Sequence, residues 1–264
     1  MILIMINSRE NINWYGTYTL TLREIKRFLR VYNQTVIAPA VSALIFLSVF
    51  VLAIGHNAKE INGIRFIDFM GYGLIIMSIV QNAFSNSSSS LIMSKVIGYI
   101  SDILVPPLGG IELVTAFILG AVARGIIVGL FVTIALSPFV NFNAHHPWLL
   151  VFFTLFSCLF LGLLGILTGI MSNSFDQNAA ITSYIITPLS FLSGTFYSVE
   201  RLPQLLQTIN HCNPFFYMID GFRYSLTNHA DSNIQVGITI LIICNLTLFF
   251  IVTKLLNIGW KIKD

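Results

Sequence analysis

Few side chains in this sequence of 264 residues have the spacing that catalysis or metal binding requires. His145 and His146 are adjacent, so they would not share one face of a helix, and no acidic residue stands close to them. Three cysteines, at positions 158, 212 and 244, show no metal-binding or redox spacing, and their odd number argues against a disulfide framework. We therefore expect no metal site and no catalytic residue in this chain.

Energy-converting chemistry is also missing from the sequence. It contains no glycine-rich phosphate-binding loop of the Walker A type and no pattern of a nucleotide-binding fold. Its 11 acidic residues map to loops, tails or the ends of apolar segments, whereas an ion-coupled transporter usually keeps ionisable residues within the membrane. We expect that the chain binds no cofactor, and that a partner ATPase would hold ATP and Mg²⁺ if the protein does energy-driven work.

The composition indicates a protein whose main solvent is lipid. Apolar residues make up 56% of the chain and charged residues 9%, compared with about 25% charged residues in a soluble domain. A soluble globule of this size could not cover its surface with so few charges, which excludes a cytosolic enzyme. The formal net charge of +3 gives no sign of a nucleic-acid partner.

Six apolar segments are long enough to cross a membrane, which takes about 20 residues. The segments are Thr35–Gly55, Phe69–Ser90, Leu113–Leu136, Trp148–Met171, Ala179–Phe196 and Ile234–Leu256. This pattern predicts one all-α integral membrane domain over residues 1–264 with six transmembrane helices. Between the fifth and sixth spans, residues 197–233 are too long for a hairpin and still apolar, so we expect short re-entrant helices there.

The distribution of Lys and Arg predicts the orientation. Nine basic residues flank one side of the predicted spans and four flank the other, while Arg124 lies within the third span. The richer side should face the cytoplasm, which places both termini there. We expect a multi-pass protein, located in the bacterial inner membrane. An even number of spans agrees with this topology.

The cytoplasmic N-terminus, residues 1–34, contains a helical pattern. Apolar residues recur at steps of four and three, and basic residues fall on or beside the opposite face. The apolar positions are Tyr18, Leu22, Ile25, Leu29 and Tyr32. We predict an amphipathic helix that lies in the membrane interface. The alternative is an ordinary cluster of positive charge beside the first span, without a separate helix.

Polar residues inside the predicted spans have two interpretations each. Gln81 and Asn82 in the second span would either join helices of two subunits or face a transport pathway. Arg124 would either bind carbonyl groups or lipid phosphate near the cytoplasmic end, or contact the pathway or the partner-facing loop. In the fifth span, Pro188 removes a backbone donor and permits a hinge.

A cytoplasmic loop, residues 91–112, contains a short apolar stretch before Pro106-Pro107 and Gly109-Gly110. Ser101 or Asp102 could cap a short helix there. A short apolar helix that faces the cytoplasm would suit a groove on a soluble partner; the alternative is a plain loop.

The region from the fifth span onward carries a family resemblance. A Ser-Gly pair follows the proline-containing span, and Leu-Pro, Asn-Pro and an arginine follow in turn. These features stand at Ser193-Gly194, Leu202-Pro203, Asn213-Pro214 and Arg223. In this order they resemble the membrane subunit of type-2 ABC exporters, the ABC-2 type permeases. The number of predicted spans and the amphipathic N-terminal helix extend the resemblance over most of the chain.

The resemblance implies roles for three sets of residues. Residues of the 91–112 loop would receive motion from the ATPase: Ser101, Asp102, Leu104, Pro106 and Glu112. Residues of the second and fifth spans would line a pathway between two permease copies: Gln81, Asn82, Tyr184, Thr187, Ser190 and Phe191. The external motif would comprise Ser193, Gly194, Pro203, Asn213, Pro214 and Arg223. One departure is Phe117, where relatives often carry a basic residue; Arg124 follows later.

The leading hypothesis is therefore an ATP-driven exporter permease that works by alternating access in a homodimer surrounded by lipid. Its substrate would be a drug-like molecule, a lipid or a lipid-linked glycan. A membrane scaffold without transport activity and a secondary transporter are the alternatives. The shortage of intramembrane acids argues against the secondary transporter.

Overall fold

The computed structural model describes residues 13–54 and 60–261. Arg9, Gly55, Lys59 and Lys263, which entered the sequence argument, lie outside these ranges. The helices are α1 (Trp14–Leu29), α2 (Ala38–Ile54), α3 (Phe66–Ile97), α4 (Ile100–Leu104), α5 (Gly110–Leu136), α6 (Pro147–Met171), α7 (Phe175–Ile181), α8 (Thr187–Ser190), α9 (Gln204–His211), α10 (Pro214–Thr227) and α11 (Ile234–Ile258). Wider π-helical turns occupy Asn33–Ile37, Thr182–Ile186 and Phe191–Thr195, and a 3₁₀ turn occupies Val199–Arg201.

Five helical segments in the described part of the chain are long and apolar enough to cross a membrane. They are Asn33–Ala53, Phe66–Ile97, Gly110–Leu136, Pro147–Met171 and Ile234–Ile258. They coincide with the first, second, third, fourth and sixth predicted spans, so the prediction of an all-α membrane protein is confirmed. Outside the helices, Glu60–Ile61 (β1) and Ile64–Arg65 (β2) form a small antiparallel hairpin across Asn62 and Gly63.

The fifth predicted span is helical but irregular, and it is not among the five. Residues 175–195 run through α7, a π-helical turn, α8 and a second π-helical turn. Pro188 lies in the first turn of α8 and has no N–H for the regular α-helical ladder. The wider turns on either side accompany this break in the bonding pattern. The segment ends at Gly194, whose φ of +82° leaves the helix.

Helix α3 lies at the centre of the fold. Of its most apolar 18 residues, 83% are buried, compared with 22% in Asn33–Ala53. It packs most extensively against α6 and α5, and also contacts α2 and α10. Glycines on α6 allow this close contact: a Cβ at Gly165 would lie 2.5 Å from the Phe84 carbonyl oxygen, and one at Gly169 would lie 2.8 Å from Leu91 Cβ.

Helix α1 exists as predicted, but the face that it buries is not the apolar stripe. Its buried residues are Thr17, Leu20, Glu24 and Phe28, and α1 contacts α5 and, to a lesser extent, α3. Tyr18 of the predicted stripe is 61% exposed. The helix therefore has two distinct faces: one packs on α5 and α3, and the apolar stripe is not covered by the rest of the chain.

We predict that Gly165→Ala destabilises the protein by about 1–3 kcal/mol, because overpacking forces neighbouring groups to move and the group in contact is backbone oxygen rather than a flexible side chain. Thermal unfolding of the purified protein in detergent measures the effect.

Gly162→Ala on the same helix is the matched control, since its Cβ would meet the Ala121 methyl at 3.1 Å and Ser87 Oγ at 3.8 Å, and no backbone atom of another helix within 4 Å. Equal unfolding temperatures for the two variants would contradict the close α3–α6 contact at Gly165.

Candidate functional site

A polar cluster fixes α1 to the C-terminal half of α3. The buried Glu24 carboxylate pairs with Arg27 at 3.1 Å and accepts a hydrogen bond from Ser90 Oγ at 2.8 Å. Arg27 donates to the Asn86 carbonyl oxygen at 2.7 Å, to Asn86 Oδ1 at 3.1 Å and to Ser89 Oγ at 3.2 Å. Gly120 of α5 makes room for Glu24, because a Cβ there would lie 2.6 Å from Glu24 Cβ.

Arg124 reaches the same face of α3 from α5. Its Nη2 donates to Asn82 Oδ1 at 2.9 Å, so it contacts one of the residues predicted to line the pathway. Within residues 13–54 and 60–261, ion pairs join only Arg27 to Glu24 and Arg65 to Asp68. No acidic side chain in these ranges neutralises Arg124.

The residues predicted to line a pathway occupy different environments in the single chain. Asn82 and Ser190 are buried, and Ser190 Oγ donates to the Ile186 carbonyl oxygen of its own helix at 2.8 Å. Tyr184 is 81% exposed. Three more keep partly exposed atoms: Gln81, Thr187 and Phe191.

Among the predicted coupling residues, Glu112 meets the start of α1 at a hydrogen-bonded junction. The Glu112 carboxylate accepts hydrogen bonds from the backbone N–H groups of Asn13 and Gly109. Asn257, near the end of α11, accepts from the Gly110 N–H at 2.8 Å. The beginnings of α1 and α5 and the end of α11 are thereby joined. Sequence reasoning missed Asn13 and Asn257, because a single amide at a helix end leaves no periodic signal.

The short helix of the loop is α4, whose exposed residues form one surface. Ser101, Asp102 and Pro106 are exposed and Leu104 is half-buried, while Ile103 anchors the helix in the core. The prediction that Ser101 or Asp102 caps this helix is wrong, because Tyr99 precedes its first turn and both residues lie inside it. Arg23 of α1 stacks over the Tyr99 ring at 5.1 Å, a further link to the loop.

The external motif closes the end of the irregular fifth segment. Asn213 Nδ2 donates to Ser193 Oγ at 2.8 Å, and Arg223 Nη2 donates to the Gly194 carbonyl oxygen at 2.8 Å. The Arg223 guanidinium also lies 3.6 Å from the centroid of the Phe69 ring on α3. Pro203 precedes α9, and Pro214 is the first residue of α10, where its missing N–H costs no helical bond.

Two aspartates connect the remaining external segments. Asp231 accepts from Ser198 Oγ at 2.8 Å and from the Val199 N–H at 2.9 Å. Asp220 accepts from Ser232 Oγ and from the Asp231 N–H; burial raises the pKa of Asp220, and these hydrogen bonds partly oppose the rise. Among the described residues, no group of three or more His, Cys, Asp or Glu side chains could hold a metal ion.

Long apolar helices surround a polar central helix, with a hydrogen-bonded junction at one end and a closed turn at the other, which is the architecture of a multi-pass membrane protein. The model of the ABC-2 type transporter family matches residues 15–227. The chain belongs to this family, and the predicted family is confirmed. Membership implies, in general, an ATPase partner subunit.

Curated relatives place the chain in the inner membrane. It is 31% identical to the "Inner membrane transport permease YadH" of Escherichia coli (strain K12) over 255 residues, which cover 96% of this chain and 99% of the relative. "Nodulation protein J" of Neorhizobium galegae is 30% identical over 94 residues, or 36% of each chain. The chain is thus a multi-pass inner membrane transport permease.

Removal of the Glu24 carboxylate should loosen α1. In Glu24→Ala, Arg27 keeps its charge but loses its ionic partner. The expected loss of stability is on the order of 2 kcal/mol. This loss is smaller than for a fully buried ion pair, because Arg27 retains solvent contact. Hydrogen exchange of the α1 amides, measured by mass spectrometry, should accelerate.

Lys26→Ala on the exposed face of the same helix is the control and should leave exchange unchanged. If Glu24→Ala exchanged at the wild-type rate, the ion pair would not be what fixes α1.

Proposed function

We propose that this chain is the permease subunit of an ATP-driven exporter in which two copies of the chain pair with two separate ATPase subunits. ATP hydrolysis then takes place on the partner, and the permease moves an amphiphile from the cytoplasm or the inner leaflet outward by alternating access. Membership of the ABC-2 type transporter family supports the ATPase partner. The Glu112 junction is the observation that carries the proposal, because it joins the loop surface to two transmembrane helices and to α1.

The proposed topology has six spans, with residues 175–195 as the fifth. At 1.5 Å per residue this segment is about 31 Å long, close to the thickness of the hydrocarbon core. Helices α9 and α10, with 8 and 14 residues, are too short to cross and form the re-entrant pair on the external side. Both termini then face the cytoplasm, in agreement with nine basic residues on that side and four on the other.

The proposed docking surface for the ATPase is the exposed part of α4 and the turn after it. Asp102 supplies charge, while Val105, 77% exposed, and Pro106 supply apolar contact area. Ile103 is buried beneath them and Leu108 packs on Gly16 of α1. A push on this surface is therefore delivered to rigid neighbours rather than absorbed in a free loop.

The proposed pathway runs between two copies of the chain. Partly exposed polar residues on α3 follow helical spacing and form one stripe: Ser78, Gln81, Ser85 and Ser89. Lipid offers no hydrogen-bond partners to such a polar stripe, which supports a second copy or a water-filled path on this side. Tyr184, Thr187 and Phe191 would face the path from the irregular fifth segment, with Asn82 and Ser190 behind the lining.

We predict that Glu112→Ala uncouples the complex. The backbone N–H groups of Asn13 and Gly109 lose their acceptor, so ATPase activity in proteoliposomes should fall to the rate of the unstimulated partner while the ATPase still co-purifies. Thr239→Ala, an exposed position whose hydroxyl bonds only its own helix, is the control and should keep full stimulation.

Unchanged stimulation in Glu112→Ala would place coupling elsewhere. If no ATP-hydrolysing subunit co-purified from native membranes, the scaffold alternative would replace the exporter. Transport that continued without ATP and stopped on collapse of the ion gradient would identify a secondary transporter.

A further inference from the structure

Arg124 carries a charge that the described part of the chain does not neutralise. Its Nε is buried and makes no hydrogen bond, and its Nη2 bonds the neutral amide of Asn82. A guanidinium in a low-dielectric environment without a counter-ion is costly, and Arg124 keeps some exposed surface. An anionic ligand would supply the missing counter-charge.

A second cation, Arg27 of α1, contacts the same face of α3 as Arg124 of α5. Arg27 and Arg124 bond the side-chain oxygens of Asn86 and Asn82, which are one helical turn apart on α3. Glu24 compensates only one of them, so this part of the fold has an excess of one positive charge.

Unused hydrogen-bond donors face the same region. Asn86 is fully buried, and its Nδ2 makes no hydrogen bond. This amide points toward Gly120, 3.2 Å from where a Cβ would lie, and Gly120 is one turn before Arg124 on α5. Gln81, Ser85 and Ser89, on the half-exposed stripe of α3, border the cluster and lead to it from the surface.

We propose that Arg27, Arg124 and the amides of Asn82 and Asn86 bind the phosphate of an anionic amphiphile. Such an amphiphile would be the substrate of the transport pathway, so this inference rests on the proposed function. Guanidinium and amide N–H groups together form a receptor for phosphate oxygens. Arg124 lies 14 residues after the cytoplasmic start of α5, or about 21 Å along the helix. A phosphate at this depth would lie within the proposed pathway, beside the polar stripe of α3.

Lipid binding to the purified permease, measured by native mass spectrometry without ATP, tests the proposal. The probes are phosphatidic acid, phosphatidylcholine of the same chain length, and inorganic phosphate. We expect phosphatidic acid to bind the wild type more tightly than phosphatidylcholine, and inorganic phosphate to displace it weakly. Equal binding of the two lipids would overturn the proposal, and displacement by inorganic phosphate at equal strength would identify free phosphate as the ligand instead.

Variants separate the charge of Arg124 from its packing. Arg124→Gln should weaken phosphatidic acid binding about tenfold, as expected when a charge-assisted contact is lost, and Arg124→Lys should retain most of it. Lys254→Gln removes one exposed charge from the cytoplasmic end of α11 and is the control. Equal loss in Lys254→Gln would indicate non-specific attraction and overturn the proposal; the lipid comparison on wild-type protein decides the matter even if Arg124→Gln fails to fold.

The lipid-binding test distinguishes failure of the phosphate site from failure of the exporter hypothesis. Co-purification of an ATPase together with equal binding of both lipids would leave the exporter in place and remove the phosphate site. Selective binding of phosphatidic acid by a permease that has no ATPase partner would keep the site and remove the exporter.

Discussion

A membrane cannot hydrogen-bond the polar side chains of α3, and the rest of the structure follows from this constraint. The C-terminal half of the helix carries Asn82, Asn86 and a run of serines, and most of them are buried. Helix α6 approaches through glycines on one side, α5 covers another, and α1 supplies Glu24 and Arg27 as partners. The most polar span is therefore the most deeply buried one, with the apolar helices arranged outside it.

The two ends of the bundle are fixed by different chemistry. At the end that we propose to be external, Arg223 and Asn213 hold the turn at Gly194. At the end that we propose to be cytoplasmic, the Glu112 carboxylate accepts hydrogen bonds from N–H groups at two helix starts. Between these ends, the fifth segment has wide turns on either side of Pro188. Such π-helical turns are frequent at functional sites, in agreement with the pathway proposed for this segment.

How much could be predicted from the sequence depended on whether a feature is periodic. Long apolar runs revealed five of the spans, and the repeat at Tyr18 and Leu29 revealed α1. The same repeat did not reveal which face of α1 is buried, because that face is chosen by partners distant in sequence, such as Gly120 and Ser90. The hairpin had an available signal in Asn62-Gly63, a pair that favours the left-handed turn seen there.

The same rule applies to the site residues: those with a sequence pattern could be predicted, and those without one could not. The order of Ser193, Asn213 and Arg223 pointed to a shared motif, and the structure brings the three together around one turn. The contact of Arg124 with Asn82 was not predictable, since nothing in either span indicates which faces of α5 and α3 meet. Pro188 predicted an irregular span, but the wide turns that accompany it depend on how the whole segment packs.

The docking of α1 has a consequence for the order in which the protein is made. Translation delivers α1 before any of α3 or α5, so Glu24 and Arg27 leave the ribosome without the serines and the glycine that receive them. Helix α1 can therefore reach its site only after α3 and α5, the second and third spans, have been made. The Glu112 junction needs the start of α1 and is completed by the end of α11, so it cannot be complete before the last span has been made.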